Sequence, residues 1–246
     1  MNERYLTISV DDGHPDDLKA VELLGKHGLK ATFYIPAKNP EREVIDAARI
    51  REIAHGFEVA GHTLNHVPLN QLKDAAAFAE ISDGKKWLED VIGGEVVSFC
   101  YPRGKFRSST AALVKKAGFL GARNSMYNRC DWPSDPFHWG LSTHAYSHPV
   151  HVQLRHALFE GNLKGAANYL GFCGVERDWE CHFMRVLEHV GLHGGIAHLF
   201  FHSWEITERG DWKKLDRVLA HAAVLPCFER VTNGELFRMW ADRRPR

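Results

Sequence analysis

The sequence has no excess of charge of either sign, since 31 lysines and arginines balance 31 aspartates and glutamates. A neutral chain offers no electrostatic footprint for nucleic acid or an anionic membrane, so we expect neither as a partner. Its five cysteines form no C-x-x-C pair, which gives no support to a zinc knuckle and favours free thiols. Apolar runs such as 196–201 fall far short of a membrane span, and no signal peptide precedes the first strand. We therefore expect a cytoplasmic protein.

The sequence does have a regular alternation of strand-like and helix-like segments. Apolar, strand-like runs occur at 5–10, 29–35, 57–60, 95–101, 119–123 and 196–201, with helical patterns between most of them. Repeated βα units predict a parallel sheet covered by helices, as an open sheet or a closed barrel. The chain length and 44% hydrophobic content suit one α/β domain over 1–246. An irregular and helical insertion is predicted at about 124–193.

Two polar motifs follow apolar runs directly. Asp11 and Asp12 come after the first strand, and His62 and His66 follow the third. Imidazoles four residues apart project from one side of a helical turn, so both can reach one metal ion. A carboxylate from another strand end completes a three-ligand set with open positions, and an adjacent carboxylate suits a general base. Each motif alone is common in turns or by chance, but together they favour a metal site.

Further polar residues also follow predicted strands, namely the 101–104 turn and His202. In a parallel α/β barrel the carboxyl ends of the strands converge on one mouth. Segments spread over nearly 200 residues of sequence are therefore predicted to meet in one pocket.

The chain resembles the polysaccharide deacetylase family (the NodB-homology, carbohydrate esterase 4 group). The family's T-F-D-D-G motif is similar to residues 9–13, and its H-[ST]-x-x-H motif is matched by residues 62–66. The resemblance implies a deformed (β/α) barrel of about seven parallel strands and one divalent metal. It implies Asp11 as the general base and the ligand set Asp12, His62 and His66. Zinc is the expected ion, with nickel, cobalt or iron as alternatives.

The family's R-x-P-Y motif is only partly kept in residues 99–104. Cys100 stands at the motif's arginine and Arg103 at its tyrosine. The resemblance implies that the backbone N–H of Arg103 helps to hold the oxyanion, because any residue except proline supplies that donor. The motif arginine contacts the catalytic aspartate in the family, and Cys100 cannot replace its charge. Arg123, at the next strand end, is the candidate substitute, and a solvated or structural arginine is the alternative.

The family's last motif, an apolar strand that ends in histidine, is clear in residues 199–205. The resemblance implies His202 as the general acid that protonates the leaving amine. In the family an Asp-Trp pair orients this histidine. Asp131-Trp132 resembles that pair in type and order, and Asp135 is the alternative.

Aromatic residues near the predicted pocket are candidates for stacking on a sugar ring. We assign substrate binding to Tyr101, Trp132 and Trp204. A second histidine pair, His144 and His148 with His151 nearby, lacks an adjacent carboxylate, so we interpret it as pocket wall or loop.

The expected function is metal-dependent removal of an N-acetyl group from an amino sugar of a polysaccharide or its intracellular precursor. An N-deformylase, a cyclic-imide or allantoin-type amidohydrolase, and a catalytically silent carbohydrate-binding protein are the alternatives. The expected partner is the N-acylated sugar substrate, and the sequence does not specify the oligomeric state.

Overall fold

The structure, a computed structural model, describes residues 3–243. Its parallel strands are β1 (Arg4–Asp11), β2 (Thr32–Ile35), β3 (Glu58–Gly61), β4 (Ser98–Cys100), β5 (Gly121–Arg123), β6 (Thr143–His144), β7 (Gly195–His202) and β8 (Glu229–Arg230). Seven strands follow the order β5-β4-β3-β2-β1-β7-β6, and the short β8 pairs with the start of β1. The predicted parallel α/β fold of about seven strands is confirmed. The sheet curves into a half-barrel covered by helices.

The helices are α1 (Asp17–Lys26), α2 (Ala47–Ala54), α3 (Asp74–Ile92), α4 (Ser108–Lys116), α5 (Val150–Phe159), α6 (Leu163–Leu170), α7 (Trp179–His193), α8 (Ser203–Arg209), α9 (Trp212–Val224) and α10 (Asn233–Asp242). Side-chain caps explain where several of these helices begin. Asp46 accepts the Arg49 N–H, and Thr232 forms a capping box with Glu235. Within the described residues, no helix is long and apolar enough to cross a bilayer.

Strand alternation separates an apolar outer face of the sheet from a polar inner face. On β1, Ile8 and Val10 belong to the large apolar cluster that includes residues of the helices. On the inner face, the Thr7 hydroxyl donates to Asn233 Oδ1 (2.7 Å), and Asn233 Nδ2 donates to the Tyr34 hydroxyl (2.8 Å). The start of α10 therefore satisfies buried polar groups inside the half-barrel.

Strand register aligns the carboxyl ends of the strands. Asp11, the last residue of β1, is the register partner of His202 on β7, and Cys100 on β4 is the partner of Arg123 on β5. The chemistry-bearing residues thus lie at one edge of the sheet, as the barrel topology predicts.

The region 124–193 contributes a strand and three helices. Irregular backbone leads to β6, which pairs with β7 through Thr143 and His144, and α5, α6 and α7 follow. The two-residue β6 and β8 were not predicted, because such short strands have no readable alternation.

Candidate active site

A cavity of about 310 Å³ opens at the carboxyl ends of the strands. Nine of the ten predicted site residues line it: Asp11, Asp12, His62, His66, Tyr101, Arg103, Arg123, His202 and Trp204. Trp132 is not among its lining residues.

Three buried side chains in this cavity form a group suited to a cation. Asp12 Oδ1 lies 3.1 Å from His66 Nε2 and 3.6 Å from His62 Nε2. Among the described residues, Asp12 Oδ1 and His62 Nε2 are buried without a hydrogen-bond partner. Such unpaired atoms are costly unless an ion or water satisfies them. One carboxylate and two imidazoles are a donor set that fits zinc or a similar divalent ion.

A backbone carbonyl orients His62. Its Nδ1 lies 2.8 Å from the Cys100 carbonyl oxygen, which only accepts, so Nδ1 carries the proton. Nε2 is thereby turned toward Asp12, the arrangement that metal-binding histidines usually show.

The two histidines do not lie on a helical turn, so the predicted reason for their convergence was wrong. They lie in a loop after β3 in which Thr63 (φ 65°) and His66 (φ 51°) take left-handed conformations. Glu80 of α3 holds this loop by accepting from the Asn65 N–H (2.9 Å) and Asn65 Nδ2 (2.8 Å). The helix approaches closely at Gly84, where a Cβ would lie 2.7 Å from the loop backbone.

Asp12 is held for this role by its backbone and by Trp204. Its φ is 83°, an uncommon conformation for a non-glycine residue. Its second oxygen, Oδ2, accepts a hydrogen bond from Trp204 Nε1 (3.0 Å). Burial raises the pKa of the carboxyl, but His202, His62 and His66 outweigh it and hold that pKa well below its usual value. The carboxylate is therefore ionised.

The neighbouring Asp11 carboxylate is paired with Arg123. Arg123 Nη2 donates to both Asp11 oxygens, with 2.6 Å to Oδ1, and the arginine is 1% exposed. The guanidinium also packs over the Phe200 ring, 4.4 Å from its centroid. Burial lowers the pKa of Arg123, but Asp11 outweighs it and the net pKa is raised, so the charge stays.

Cys100, at the position of the missing motif arginine, also contacts Asp11. Its Sγ lies 3.4 Å from Asp11 Oδ2. Burial raises the pKa of this thiol well above its usual value, so the thiol is neutral and donates.

The turn after β4 places Tyr101 and Arg103 at the cavity. The Tyr101 hydroxyl donates to the Phe137 carbonyl (3.0 Å), and its ring stacks on Phe106 at 4.2 Å. Arg103 has a left-handed φ of 56°, and its half-exposed guanidinium pairs with Glu41. The Arg103 side chain is therefore engaged at the cavity edge.

His202 is oriented by Glu205, a residue that the sequence reasoning did not single out. His202 Nδ1 lies 2.7 Å from Glu205 Oε2, and its Nε2 lies 3.8 Å from Asp12 Oδ2. Because a carboxylate only accepts, Nδ1 carries the proton and Nε2 is directed to the metal group. Burial lowers the pKa of His202, but Asp12 and Glu205 outweigh it and raise that pKa to about 9.

The two aspartates predicted to orient His202 lie elsewhere, so both alternatives were wrong. Asp131 pairs with Arg129 (2.7 Å) and Lys164 (3.2 Å), and Asp135 pairs with His138 (2.8 Å). Glu205 follows His202 at i, i+3 at the start of α8, and this spacing was the signal that could have identified Glu205 as the partner of His202.

Trp132 lies at the other end of the sheet, which corrects its assignment to substrate binding. Its ring packs edge-on against Tyr5, near the start of β1, with centroids 5.5 Å apart. The loop between β5 and β6 runs back toward the amino ends of the strands and carries Trp132 with it.

His144 of the second histidine cluster lies in the cavity wall. Its Nε2 is 2.8 Å from Glu205 Oε2, and its Nδ1 is 3.0 Å from His148 Nε2. Sequence reasoning placed His144 in the pocket wall or a loop but gave it no partner.

Comparison with known proteins agrees with the fold and the motifs. The family model for polysaccharide deacetylase matches residues 1–122. YxkH of Bacillus subtilis is 28% identical over 121 residues, covering 48% of this chain and 43% of the relative. The peptidoglycan-N-acetylglucosamine deacetylase of Bacillus cereus is 28% identical over 141 residues, covering 56% of this chain and 62% of the relative. The chain thus spans about half the length of these curated relatives.

A solved structure extends the fold likeness to nearly the whole chain. The family 4 acetyl xylan esterase from Clostridium thermocellum, in complex with a cobalt ion, gives a TM-score of 0.60 at 18% identity. The match covers 97% of this chain and 92% of the esterase. The family model and the sequence relatives show that the chain belongs to the polysaccharide deacetylase family, and the solved structure shows that its fold continues beyond residue 122.

Proposed function

We propose that the protein is a metal-dependent hydrolase that removes an N-acetyl group from an amino sugar. One observation carries the proposal: the unpaired atoms of Asp12 and His62 lie beside His66, within the cavity that holds the Asp11–Arg123 pair and His202. A purely structural pocket has no need of buried, unsatisfied ligand atoms next to an ionised carboxylate.

Asp12, His62 and His66 would hold the metal, most simply zinc. The relative from Clostridium thermocellum was solved with cobalt, which supports a divalent ion on this fold. When bound, such an ion polarises the amide carbonyl and makes water a better nucleophile at neutral pH. Trp204 orients the Asp12 carboxylate through a hydrogen bond, and the Cys100 carbonyl orients the His62 ring in the same way. Both ligands are therefore preorganised.

Asp11 is the base in this proposal. Its carboxylate takes the proton of the attacking water, and Arg123 and Cys100 fix the direction of its lone pairs. The backbone N–H of Arg103, in the turn after β4, is the proposed donor to the oxyanion.

His202 is the proposed acid. An amide nitrogen leaves poorly unless it is protonated, and the cavity-facing Nε2 of His202 is placed to donate that proton. Glu205 holds the ring through Nδ1 and stabilises the protonated form.

The cavity favours a small polar substrate. Its volume of about 310 Å³ lies at the lower end of the range for ligand pockets, which is about 300–1,000 Å³. Its wall combines aromatic Trp204 and Tyr101 with charged Lys105 and Glu160. One N-acylated sugar ring suits these dimensions and this mixture of groups. Because every proposed catalytic group lies on a strand of one sheet or on the loop that follows a strand, we also propose that the chain forms one catalytic domain.

The direct test is release of acetate and of formate from a panel of N-acetyl and N-formyl amino sugars. We expect acetate release that is lost on chelation and restored by zinc or cobalt. Release of formate alone would indicate a deformylase instead of a deacetylase. No release of either product from metal-loaded protein would contradict it and favour a silent carbohydrate-binding protein.

A further inference from the structure

A histidine pair outside the proposed metal group is built into the cavity wall. His144 ends β6 and is 9% exposed, and its ring stacks on Phe200 with centroids 4.6 Å apart. His148 follows four residues later, and its Nε2 lies 3.0 Å from His144 Nδ1. The roles described so far use neither histidine.

One carboxylate oxygen joins His144 to the proposed acid. Glu205 Oε2 lies 2.8 Å from His144 Nε2 and 2.7 Å from His202 Nδ1. Burial raises the pKa of Glu205, but His144 and His202 outweigh it and hold that pKa below its usual value, so Glu205 is ionised. An ionised carboxylate only accepts, and both facing nitrogens must therefore carry protons.

The proton on His144 Nε2 fixes the direction of the hydrogen bond between His144 and His148. Burial lowers the pKa of His144, and burial together with His144 lowers the pKa of His148 to about 4, so both rings are neutral at pH 7. A neutral ring with its proton on Nε2 has an acceptor at Nδ1, so His148 Nε2–H donates to His144 Nδ1. His148 therefore donates a hydrogen bond to His144, and His144 donates one to Glu205. Glu205 also accepts a hydrogen bond from His202.

We propose that His144 and His148 are positioning residues that act on His202 through Glu205. The inference rests on the proposed function, in which His202 is the acid. The Glu205 carboxylate has rotational freedom about its own side chain, and the His144 donor removes it. The His202 ring, bound to the same oxygen, then keeps its Nε2 turned toward Asp12.

A second metal ion is the competing use of the same side chains, since ligand atoms of His144, His202 and Glu205 lie within 4.8 Å of one another. Ligands about 2.0–2.1 Å from a tetrahedral zinc lie more than about 3 Å apart. The observed 2.7 and 2.8 Å separations are instead ordinary lengths for charge-assisted hydrogen bonds.

The test compares His144→Phe with His144→Gln and with His151→Phe as the matched control. Phenylalanine keeps the stacking on Phe200 but removes the donor, whereas the glutamine amide can still donate. His151 is an exposed residue of α5 with no role in the cavity.

For His144→Phe we expect kcat to fall by about 10- to 100-fold with KM within about threefold, the effect of a misoriented acid. His144→Gln should recover part of this loss, and His148→Phe should show a smaller loss in the same direction. The His144→Phe defect should shrink on activated esters, whose leaving groups need no protonation. A kcat for His144→Phe within threefold of the wild type would overturn the proposal.

Two measurements do not depend on turnover. The NMR signal of the His202 Nδ1 proton should shift or broaden in His144→Phe and stay unchanged in His151→Phe. An unchanged signal in both would overturn the proposal even if the wild type releases neither acetate nor formate. Metal analysis should give one ion per chain in the wild type and in His144→Phe. Two ions in the wild type that fall to one in the variant would assign His144 to a metal site instead.

Discussion

Replacing Arg123 by methionine removes the guanidinium that contacts Asp11 and keeps an unbranched side chain about as long as the aliphatic part of arginine. Arg123 Nη2 donates to both oxygens of a carboxylate that is itself 3% exposed. A hydrogen bond to a charged group contributes about 1.5–3 kcal/mol. If that energy serves to hold Asp11 in its catalytic direction, Arg123→Met should lower kcat/KM by about 10- to 150-fold, at about 1.4 kcal/mol per factor of ten.

The same substitution should also lower stability, because it leaves Asp11 buried without its counterion. Breaking a buried ion pair costs about 3–5 kcal/mol. At about 2–4 °C per kcal/mol for a domain of this size, Tm should fall by about 6–20 °C. Kinetics are therefore measured at 25 °C, with circular dichroism to verify that the variant is folded.

The matched control is Arg217→Met. Arg217 also pairs with a carboxylate, that of Glu180 at 2.7 Å, but its side chain is 61% exposed. An exposed pair contributes less than about 1 kcal/mol, so activity should be unchanged and Tm nearly so.

A second substitution tests the position of the charge. Adding Cys100→Arg to Arg123→Met returns a guanidinium to a position whose side chain contacts Asp11, and it should recover part of the activity. An Arg123→Met enzyme with kcat/KM within threefold of the wild type would refute the reasoning and leave Arg123 as a structural residue.

Three further substitutions test the other roles. Asp11→Asn should keep the metal and lower kcat by about 10²- to 10⁴-fold, since it preserves shape and removes the base; a kcat within threefold of the wild type would exclude Asp11 as the base. His202→Ala should also keep the metal, with a defect that is smaller on activated esters than on amides, and equal losses on both would indicate a structural role. In metal-free protein, the raised His202 pKa of about 9 contributes stability that is present below its unfolded pKa of about 6.5 and is lost as pH rises toward 9. Glu205→Gln should flatten the Tm profile between these pH values, and an unaltered profile would show that Glu205 does not set the His202 pKa.

The sequence predicted the residues at the ends of long strands well. Asp11 and His202 each follow a long apolar run, and parallel topology brings the ends of such runs together whatever their separation in sequence. Arg123 was predicted to lie at a strand end near Asp11; β5 ends at Arg123, and its guanidinium donates to Asp11.

The loops could not be predicted in the same way. Residues 62–66 match a helical spacing, but their convergence depends on left-handed backbone at Thr63 and His66 and on contacts from α3. Tertiary contacts decided that conformation, and periodicity carries no information about them.

The carboxylate that orients His202 was predicted in the wrong segment of the chain. The family's order of motifs pointed to Asp131 and Asp135, but the β5–β6 loop takes Asp131 to Arg129 and Lys164. Glu205 supplies the carboxylate from the first turn of α8, so a local i, i+3 contact replaced a long-range one.

The most direct test of the metal site is anomalous diffraction from crystals of the zinc-loaded protein, collected on both sides of the zinc absorption edge. We predict one strong peak at about 2.0–2.2 Å from Asp12 Oδ1, His62 Nε2 and His66 Nε2. The peak should disappear in a His62→Ala, His66→Ala double variant that remains folded. A zinc-loaded crystal with no peak at these three residues, or with its peak between His144, His202 and Glu205, would contradict the account.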